Sequence, residues 1–502
     1  RYHRHAPGLW ALDAGEPVKR PHIILIVADQ LRRDFLGKGF TPQIDTLLKE
    51  SKVFSRAYCA SPLCVPARGS FFTGTYPSTN GSLINPWKGP DIPYGLVHKE
   101  IPDLYQLLEQ AGYDCYHAGK QHLYREEGQP ERKPASRIHW LSTEKTYKTW
   151  LDEHGYPKPG GDRYRTLCPK LVSGKKTIAK SYSNPRTGLY EGPANAYFDI
   201  YFTDRLMEGL AVSYQGDKPL FVSAMFLAPH PPFCIPEPYY SMYTEAQVEM
   251  EDNVGVWAAK QSPLQLYQIT GSIGNGYTME EWGESWRVYA GLCTLLDDQV
   301  GRLIGWLKEH HLYDESIILF SADHGEMLGS HQLFQKMCMY EEVSHIPLSL
   351  RLPHDGKHQR VDSCVSQVVI LPTVLDLAGL AIPRTAQGHS LVPAMKGEMP
   401  VRKYAYLEFN GTDALGNYSR AVTDGRYKLV LDVFKDEIFP ELYDLQEDSG
   451  EMRNLAFCEE YDKIGMELLS ALKTHMVKTG DGLDFSGFSF DAIRTDYARI
   501  WR

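Results

Sequence analysis

A chain of 502 residues is long enough to bury a large core and to divide into two domains, and its 43% hydrophobic and 12% aromatic content is that of an ordinary globular protein. A formal net charge of −10 argues against nucleic acid or an anionic membrane as the main partner, so an anionic substrate would need a local positive pocket. No apolar run approaches the roughly 18 residues that a membrane-spanning helix requires.

Residues 1–20 carry charge and proline without a period and read as an arm. Residues 23–27, I-I-L-I-V, form a continuous apolar run rich in β-branched side chains. That is the pattern of a strand buried on both faces, and it runs into Ala28-Asp29-Gln30. Thr41-Pro42 predicts the start of a helix with Ile44, Leu47 and Leu48 on one face. A helix carrying Leu104, Leu107, Leu108 and Ala111 stops at Gly112, and a strand over residues 113–118 leads into Gly119-Lys120-Gln121-His122. Residues 123–215 are polar and weakly patterned and read as an irregular insertion built around a site. A buried strand over residues 220–227 ends in Ala228-Pro229-His230-Pro231-Pro232-Phe233. A long helix is expected from Ser285, with Leu292, Leu296, Val300, Leu303, Ile304 and Leu307 in register. A third buried strand, residues 316–320, terminates in Ser321-Ala322-Asp323-His324-Gly325, and residues 372–378 read as a helix closed by Gly379. Alternation of this kind implies a mostly parallel sheet covered by helices on both faces. After residue 395 the texture changes to short strands over 404–409, 419–422 and 427–431, then a helix with Ile464, Leu468, Leu469 and Leu472. The expected division is therefore a domain over 1–394 and a small α+β domain over 395–502.

Residues 61–74 read S-P-L-C-V-P-A-R-G-S-F-F-T-G. Pro66 suits a first helical turn, where no backbone donor is needed, so Cys64 is expected at the positive end of a helix. Taken alone, Cys64 also reads as a buried structural cysteine. Asp29-Gln30 and Asp323-His324 lie far apart in sequence, yet each follows a buried strand. Either pair alone more often just opens a loop. Adjacent parallel strands would bring the two together, and two carboxylates, an amide oxygen and an imidazole suit a divalent cation.

Together these segments resemble the sulfatase family. Its pattern C-x-P-x-R stands here as C-V-P-A-R at 64–68, G-K-x-H as G-K-Q-H at 119–122, and P-H-x-P-F as P-H-P-P-F at 229–233. D-H-G-x-x-x-G stands as D-H-G-E-M-L-G at 323–329, and Lys336 precedes Met339-Tyr340-Glu341-Glu342. The C-terminal D-G-R-Y-K-L and E-L-Y-D-L also fit, so the likeness runs from about residue 21 to 456 in the family's order. It implies an α/β fold, a sandwich of the alkaline-phosphatase type with a smaller C-terminal domain, and a metal-dependent sulfuric ester hydrolase. It further implies that a separate maturation enzyme oxidises Cys64 to formylglycine. The hydrated aldehyde is then the nucleophile, and its second hydroxyl expels sulfate from the covalent intermediate. Asp29, Gln30, residue 64, Asp323 and His324 would hold one divalent cation, calcium in first place with manganese or zinc as alternatives. Arg68 would steady the nucleophile and its metal, and Lys120 and Lys336 would hold sulfate oxygens. His122 would remove the proton that breaks down the covalent sulfate, and His230 would face the ester oxygen as donor or acid.

Two departures bear on this. Gln30 stands where many sulfatases have a second aspartate, and His324 where many have asparagine. That pairing also occurs in the related phosphonate monoester and phosphodiester hydrolases, which share the formylglycine, so a phosphorus ester is the alternative substrate. It also weakens calcium relative to manganese or zinc, because an imidazole with fewer carboxylates suits those ions. An unoxidised Cys64 would instead leave a non-catalytic, anion-binding relative. The organic half of the ester, small molecule or glycan, is left open, with residues 123–215 and 76–88 expected to shape it. The compartment is open too. Nine scattered cysteines without a C-x-x-C pair fit reduced cytosolic thiols, whereas a start at Arg1 fits an exported chain whose leader has been removed.

Overall fold

His22–Asp29, H-I-I-L-I-V-A-D, has no polar face, and all of its residues are buried. The same is true of Leu220–Pro229 and Ser316–Ala322. In the computed structural model these three strands form the centre of an eight-stranded sheet. Residues 20–85, 94–132, 136–172, 176–398, 402–413 and 415–498 are described; the expected arm except Arg20, and residues 86–88 of the expected substrate loop, lie outside them.

From edge to edge the sheet runs Gln359–Ser366, Lys52–Tyr58, Leu348–Arg351, Ser316–Ala322, His22–Asp29, Leu220–Pro229, Asp114–Gly119 and His139–Ser142. Neighbours are parallel except at Leu348–Arg351, which runs antiparallel to both strands beside it. Register then fixes the site. Ala28 pairs with Ala322, so Asp29 and Asp323 emerge side by side. Gly119 pairs with Met225, which brings Lys120 to the same edge. Ligand sites in such sheets gather at the carboxyl ends of the strands. Two motif glycines are required by close backbone approach. A Cβ on Gly119 would stand 1.9 Å from the Met225 carbonyl oxygen, and one on Gly325 would stand 1.9 Å from that of Glu342.

The segment expected to be irregular is not. It contains the helix Glu144–His154, a hairpin of Arg165–Val172 with Lys176–Ser183, and the 16-residue helix Phe198–Ser213. That last helix buries Phe198, Tyr201, Phe202, Leu206 and Leu210. Its apolar period is carried mostly by aromatic residues inside a polar stretch, which hides it from a count of aliphatics. The long helix begins at Met279 rather than Ser285, because Thr278 and Glu281 form a reciprocal capping box. The helix near Pro372 spans Ile370–Leu377, with proline as its third residue. Strands Lys52–Tyr58, His139–Ser142, Leu348–Arg351 and Gln359–Ser366 had no clear signal; they are short or carry charged side chains.

Toward the C-terminus, Ala405–Phe409, Tyr418–Thr423, Tyr427–Phe434 and Glu437–Asp444 form an antiparallel sheet in chain order. The helix Asp462–Thr479 packs Leu468, Leu469, Leu472 and Met476 against Val422, Leu429 and Leu431. This sheet is bonded to segments flanking the main one: Glu408 N donates to the Ala60 carbonyl at 2.9 Å, and Lys428 Nζ lies 2.9 Å from Glu341 and also 2.7 Å from Glu451. No helix among the described residues is long and apolar enough to cross a membrane.

At this junction Glu441 is buried and accepts from Tyr340 Oη (2.8 Å), Ser262 N (2.9 Å) and Tyr443 Oη (3.1 Å). Burial, reinforced by Asp432, pushes its carboxyl up to about 8. The folded state thus holds a proton that the unfolded chain releases near the ordinary value of 4.5. Its contribution to stability is full below that value and is lost as pH rises through about 8. Glu441→Gln keeps the accepting oxygen and cannot ionise. Thermal unfolding on either side of this window should show a smaller loss at the alkaline end for the variant than for the wild type. Equal losses would remove Glu441 from the pH dependence.

Candidate active site

Cys64 is the first residue of the buried helix Cys64–Thr73, and Asn85 Oδ1 accepts from the free Val65 N–H at 3.1 Å. Its Sγ lies 3.1 Å from Lys336 Nζ, 3.3 Å from His324 Nε2, 3.7 Å from Lys120 Nζ and 3.8 Å from Asp29 Oδ1. Burial and Asp29 oppose ionisation of this thiol, but Lys120, Lys336 and His324 more than offset them and bring it below its usual value. The positive helix end acts in the same direction.

Arg68, one turn along, is the clamp of the site. Its Nε donates to Asp323 Oδ2 at 3.1 Å, Nη2 to Asp29 Oδ2 at 3.2 Å, and Nη1 to the Lys120 carbonyl at 2.6 Å. Asp29 also pairs with Lys120 Nζ. Burial alone would raise the Asp29 carboxyl, but Lys120, His230, Arg68 and Lys336 hold it well below the usual carboxylate range. One oxygen of Asp323 accepts the backbone N–H of Gln30 (3.0 Å) and of His324 (2.9 Å).

Ligand atoms of Asp29, Cys64, Asp323 and His324 all lie within 4.8 Å of one another. The donor set fits a divalent cation. His324 Nδ1 donates to the Gly325 carbonyl at 3.0 Å, which leaves the Nε2 lone pair facing the cluster. Gln30 Nε2 donates to Glu326, which turns its amide oxygen inward, 2.6 Å from Lys336 Nζ. Gln30 adopts a positive φ of 68°, the left-handed turn that brings this side chain back over the strand end.

The two remaining histidines are placed differently. His230 lines the same cavity as Cys64, Lys120 and Lys336, with Nδ1 donating to the Pro231 carbonyl. Burial, then Lys336 and Lys120, hold its pKa well below the ordinary histidine value, which favours the neutral imidazole. His122 is buried behind that wall, with Nε2 2.7 Å from Glu144 Oε2. Burial lowers its pKa, and Glu144 works in the opposite direction.

Sequence reasoning did not reach four supporting residues. Asp199 accepts from Leu227 N (2.6 Å) and Ala228 N (2.9 Å), fixing the strand end that carries His230. Asn85 caps the Cys64 helix, Glu326 orients Gln30, and Glu144 meets His122. Only Glu326 had a signal, its place inside D-H-G-E-M-L-G.

The cavity has a volume of about 670 Å³. Leu63, Tyr164, Tyr182, Phe198, Leu227 and Met337 supply its apolar walls, and Thr412 reaches it from beside the C-terminal sheet. Lys336→Met should raise the thiol pKa of unmodified Cys64, because it removes the cation 3.1 Å away. The pH dependence of Cys64 alkylation by a small reagent reads this out. A midpoint that stays put or falls would show that Lys336 does not govern the thiol.

With this geometry in view, likeness to known proteins has a physical meaning. The sequence profile of the family described as Sulfatase matches residues 21–380, and that described as N-sulphoglucosamine sulphohydrolase, C-terminal, matches residues 329–478. Arylsulfatase K of Xenopus laevis is 26% identical over 436 residues, covering 83% of this chain and 74% of the relative. N-acetylglucosamine-6-O-sulfatase of Bacteroides thetaiotaomicron is 26% identical over 508 residues, covering 91% and 86%. The phosphonate monoester hydrolase structure from Silicibacter pomeroyi superposes with a TM-score of 0.73 at 23% identity, covering 92% of this chain and 96% of that one. The fold is thus alkaline-phosphatase-like. A first profile that spans both strand-end pairs, the Cys64 helix and the His230 strand leaves one conclusion: the chain belongs to the sulfatase family and is an enzyme of that kind.

Proposed function

We propose that the protein hydrolyses the sulfate monoester of a carbohydrate, through residue 64 in its formylglycine form and with one divalent cation. The observation that carries this is the surroundings of Cys64 Sγ: two ammonium groups, at 3.1 and 3.7 Å, on a buried helix N-terminus beside a mixed cation-ligand set. As formylglycine, residue 64 supplies a hydrated aldehyde, with one hydroxyl to attack sulfur and a second to expel sulfate. A cation held by Asp29, Gln30, Asp323, His324 and residue 64 would promote ionisation of that hydroxyl and polarise a sulfate oxygen. Calcium is the first assignment by family, with manganese or zinc admitted by the imidazole in the set.

The chain's own residues supply the rest. Arg68 is committed to the carboxylates, so Lys120 and Lys336 remain to receive the non-bridging oxygens of a tetrahedral anion. The negative charge of the bound ester raises the pKa of nearby His230, which then protonates the departing alcohol from Nε2. By the family's pattern His122, whose Nε2 lies 2.7 Å from Glu144, is assigned the proton transfer that breaks down the covalent sulfate. The cavity volume, near 670 Å³, and its tyrosine walls suit a sugar ring, and a relative named N-acetylglucosamine-6-O-sulfatase points the same way.

A second reading has its own observation. Gln30 and His324 stand beside Lys336 and Cys64, and the superposing phosphonate monoester hydrolase shares the fold. Parallel assays of a sulfated hexosamine and a phosphonate monoester separate the two. The sugar sulfate should be turned over with the higher kcat/KM, and the reverse order would favour phosphorus.

Two outcomes test the machinery. Mass analysis of the peptide bearing residue 64 from active protein should give the aldehyde mass, and elemental analysis should find one divalent metal that Asp323→Ala abolishes. Full activity with an intact thiol, or metal retained in that variant, would sink the assignment. His230→Ala should slow alkyl sulfates roughly 10²–10⁴-fold while activated aryl sulfates change far less, since only the poor leaving group needs the proton. In the wild type, kcat for the alkyl ester should also fall as pH rises and His230 of the bound complex loses that proton, a limb that the variant lacks. Equal losses on both esters would deny His230 the acid role.

A further inference from the structure

The outer half of the cavity carries a charge pattern that sulfate cleavage alone does not use. Lys158, Arg165 and Lys180 line it, whereas Glu144 is the one carboxylate among the described lining residues, and it is engaged with His122 at 2.7 Å. Lys180 is paired with Asp413 Oδ2 at 2.6 Å, and Asp413 also takes Tyr182 Oη at 2.7 Å. Among the described residues no carboxylate pairs with Lys158 or Arg165, although the chain as a whole carries a net charge of −10.

The Arg165 guanidinium is pre-oriented. Its Nε donates to Ser181 Oγ at 3.0 Å and its Nη2 to the Ser181 carbonyl, across the hairpin pair Arg165–Val172 and Lys176–Ser183. The hairpin is in turn fixed to the inner site. Gln335 Nε2 donates to the Ser183 carbonyl at 2.6 Å, and Gln335 is the neighbour of Lys336. Lys158 stands two residues before Gly160, which packs so tightly on Pro232 that an added Cβ would stand 3.0 Å from its Cγ. Pro232 lies two residues beyond His230 in P-H-P-P-F. The Arg165 guanidinium and the backbone near Lys158 are therefore held at fixed offsets from the groups that would meet the scissile sulfate.

From this we infer that the organic half of the ester carries a second anionic group, a sulfate or a carboxylate, received by Arg165 and Lys158 at the cavity mouth. This rests on the reading of the enzyme as a carbohydrate sulfatase. A planar guanidinium held by two hydrogen bonds presents its remaining N–H groups to such an anion, and Lys158 adds a mobile point charge. The same arrangement disfavours an ester whose organic half is a cation.

The test uses the mature enzyme and three hexosamine esters that share the scissile sulfate: one with no other charge, one with a second sulfate, and one linked to a uronate. The doubly charged esters should show kcat/KM about tenfold higher, mostly through KM, and rising salt should erode that advantage. In Arg165→Gln, in Lys158→Gln and in the double variant, the ratio between doubly and singly charged esters should fall toward one. A gain from one of the two anions only would support the site and name its ligand. Sulfate release from the singly charged ester with no gain from either anion would overturn the second-anion site alone. An unchanged ratio in the double variant would overturn the assignment to these residues. Release from none of the three would overturn both this inference and the sulfatase reading beneath it.

Discussion

Two carboxylates emerge side by side from the centre of the sheet, and Arg68 is what makes that tolerable. Asp29 and Asp323 are wholly buried, and bare like charges at such a distance would be strongly destabilising. One guanidinium bonded to both relieves the repulsion, at 3.2 and 3.1 Å. Because Arg68 sits one turn inside the Cys64 helix, the same contact fixes where that helix begins and therefore where residue 64 points. Its third bond, to the Lys120 carbonyl, carries the constraint to the next strand end. The parallel register supplies the proximity, and the arginine supplies the permission.

This arrangement leaves an imbalance that favours catalysis. With Arg68 committed, Lys120 and Lys336 crowd a single sulfur atom, and His230 is kept neutral by their charge as well as by burial. On the proposed mechanism, entry of an anionic ester would act on all three at once. It would give the lysines a further acceptor and lift the imidazole toward its protonated form. The proposed proton donor would then become competent when there is something to donate to, which would spare the resting enzyme a buried imidazolium.

Much of the inner site was legible because its residues lie in short segments tied to strand ends, and the backbone there tolerates little else. Gly119 and Gly325 show why: added methyl groups would collide with carbonyl oxygens of neighbouring segments. The supporting contacts were not legible in the same way. Asp199 is an ordinary residue in an aromatic-rich helix, and it matters only because the fold lays that helix against the strand before His230. Glu144 meets His122 across a stretch read as irregular, and Gln335 reaches Ser183 across a large separation in sequence. Such contacts depend on tertiary placement that no local pattern encodes. The missed edge strands have the same cause, since Lys52–Tyr58 mixes charged and apolar residues and is held by partners far along the chain.

The hairpin Arg165–Val172 with Lys176–Ser183 is anchored at two points that belong to different parts of the chain, Gln335 beside Lys336 and Asp413 next to Thr412. That double attachment has a consequence for how this segment tolerates change. A hairpin exchanged without its anchors would lose the hydrogen bond at Ser183 and the charge partner of Lys180, and its guanidinium would no longer stand at a defined offset from the reacting centre. If the hairpin does set selectivity here, it does so together with its two anchors, and a change confined to the insertion would disturb it.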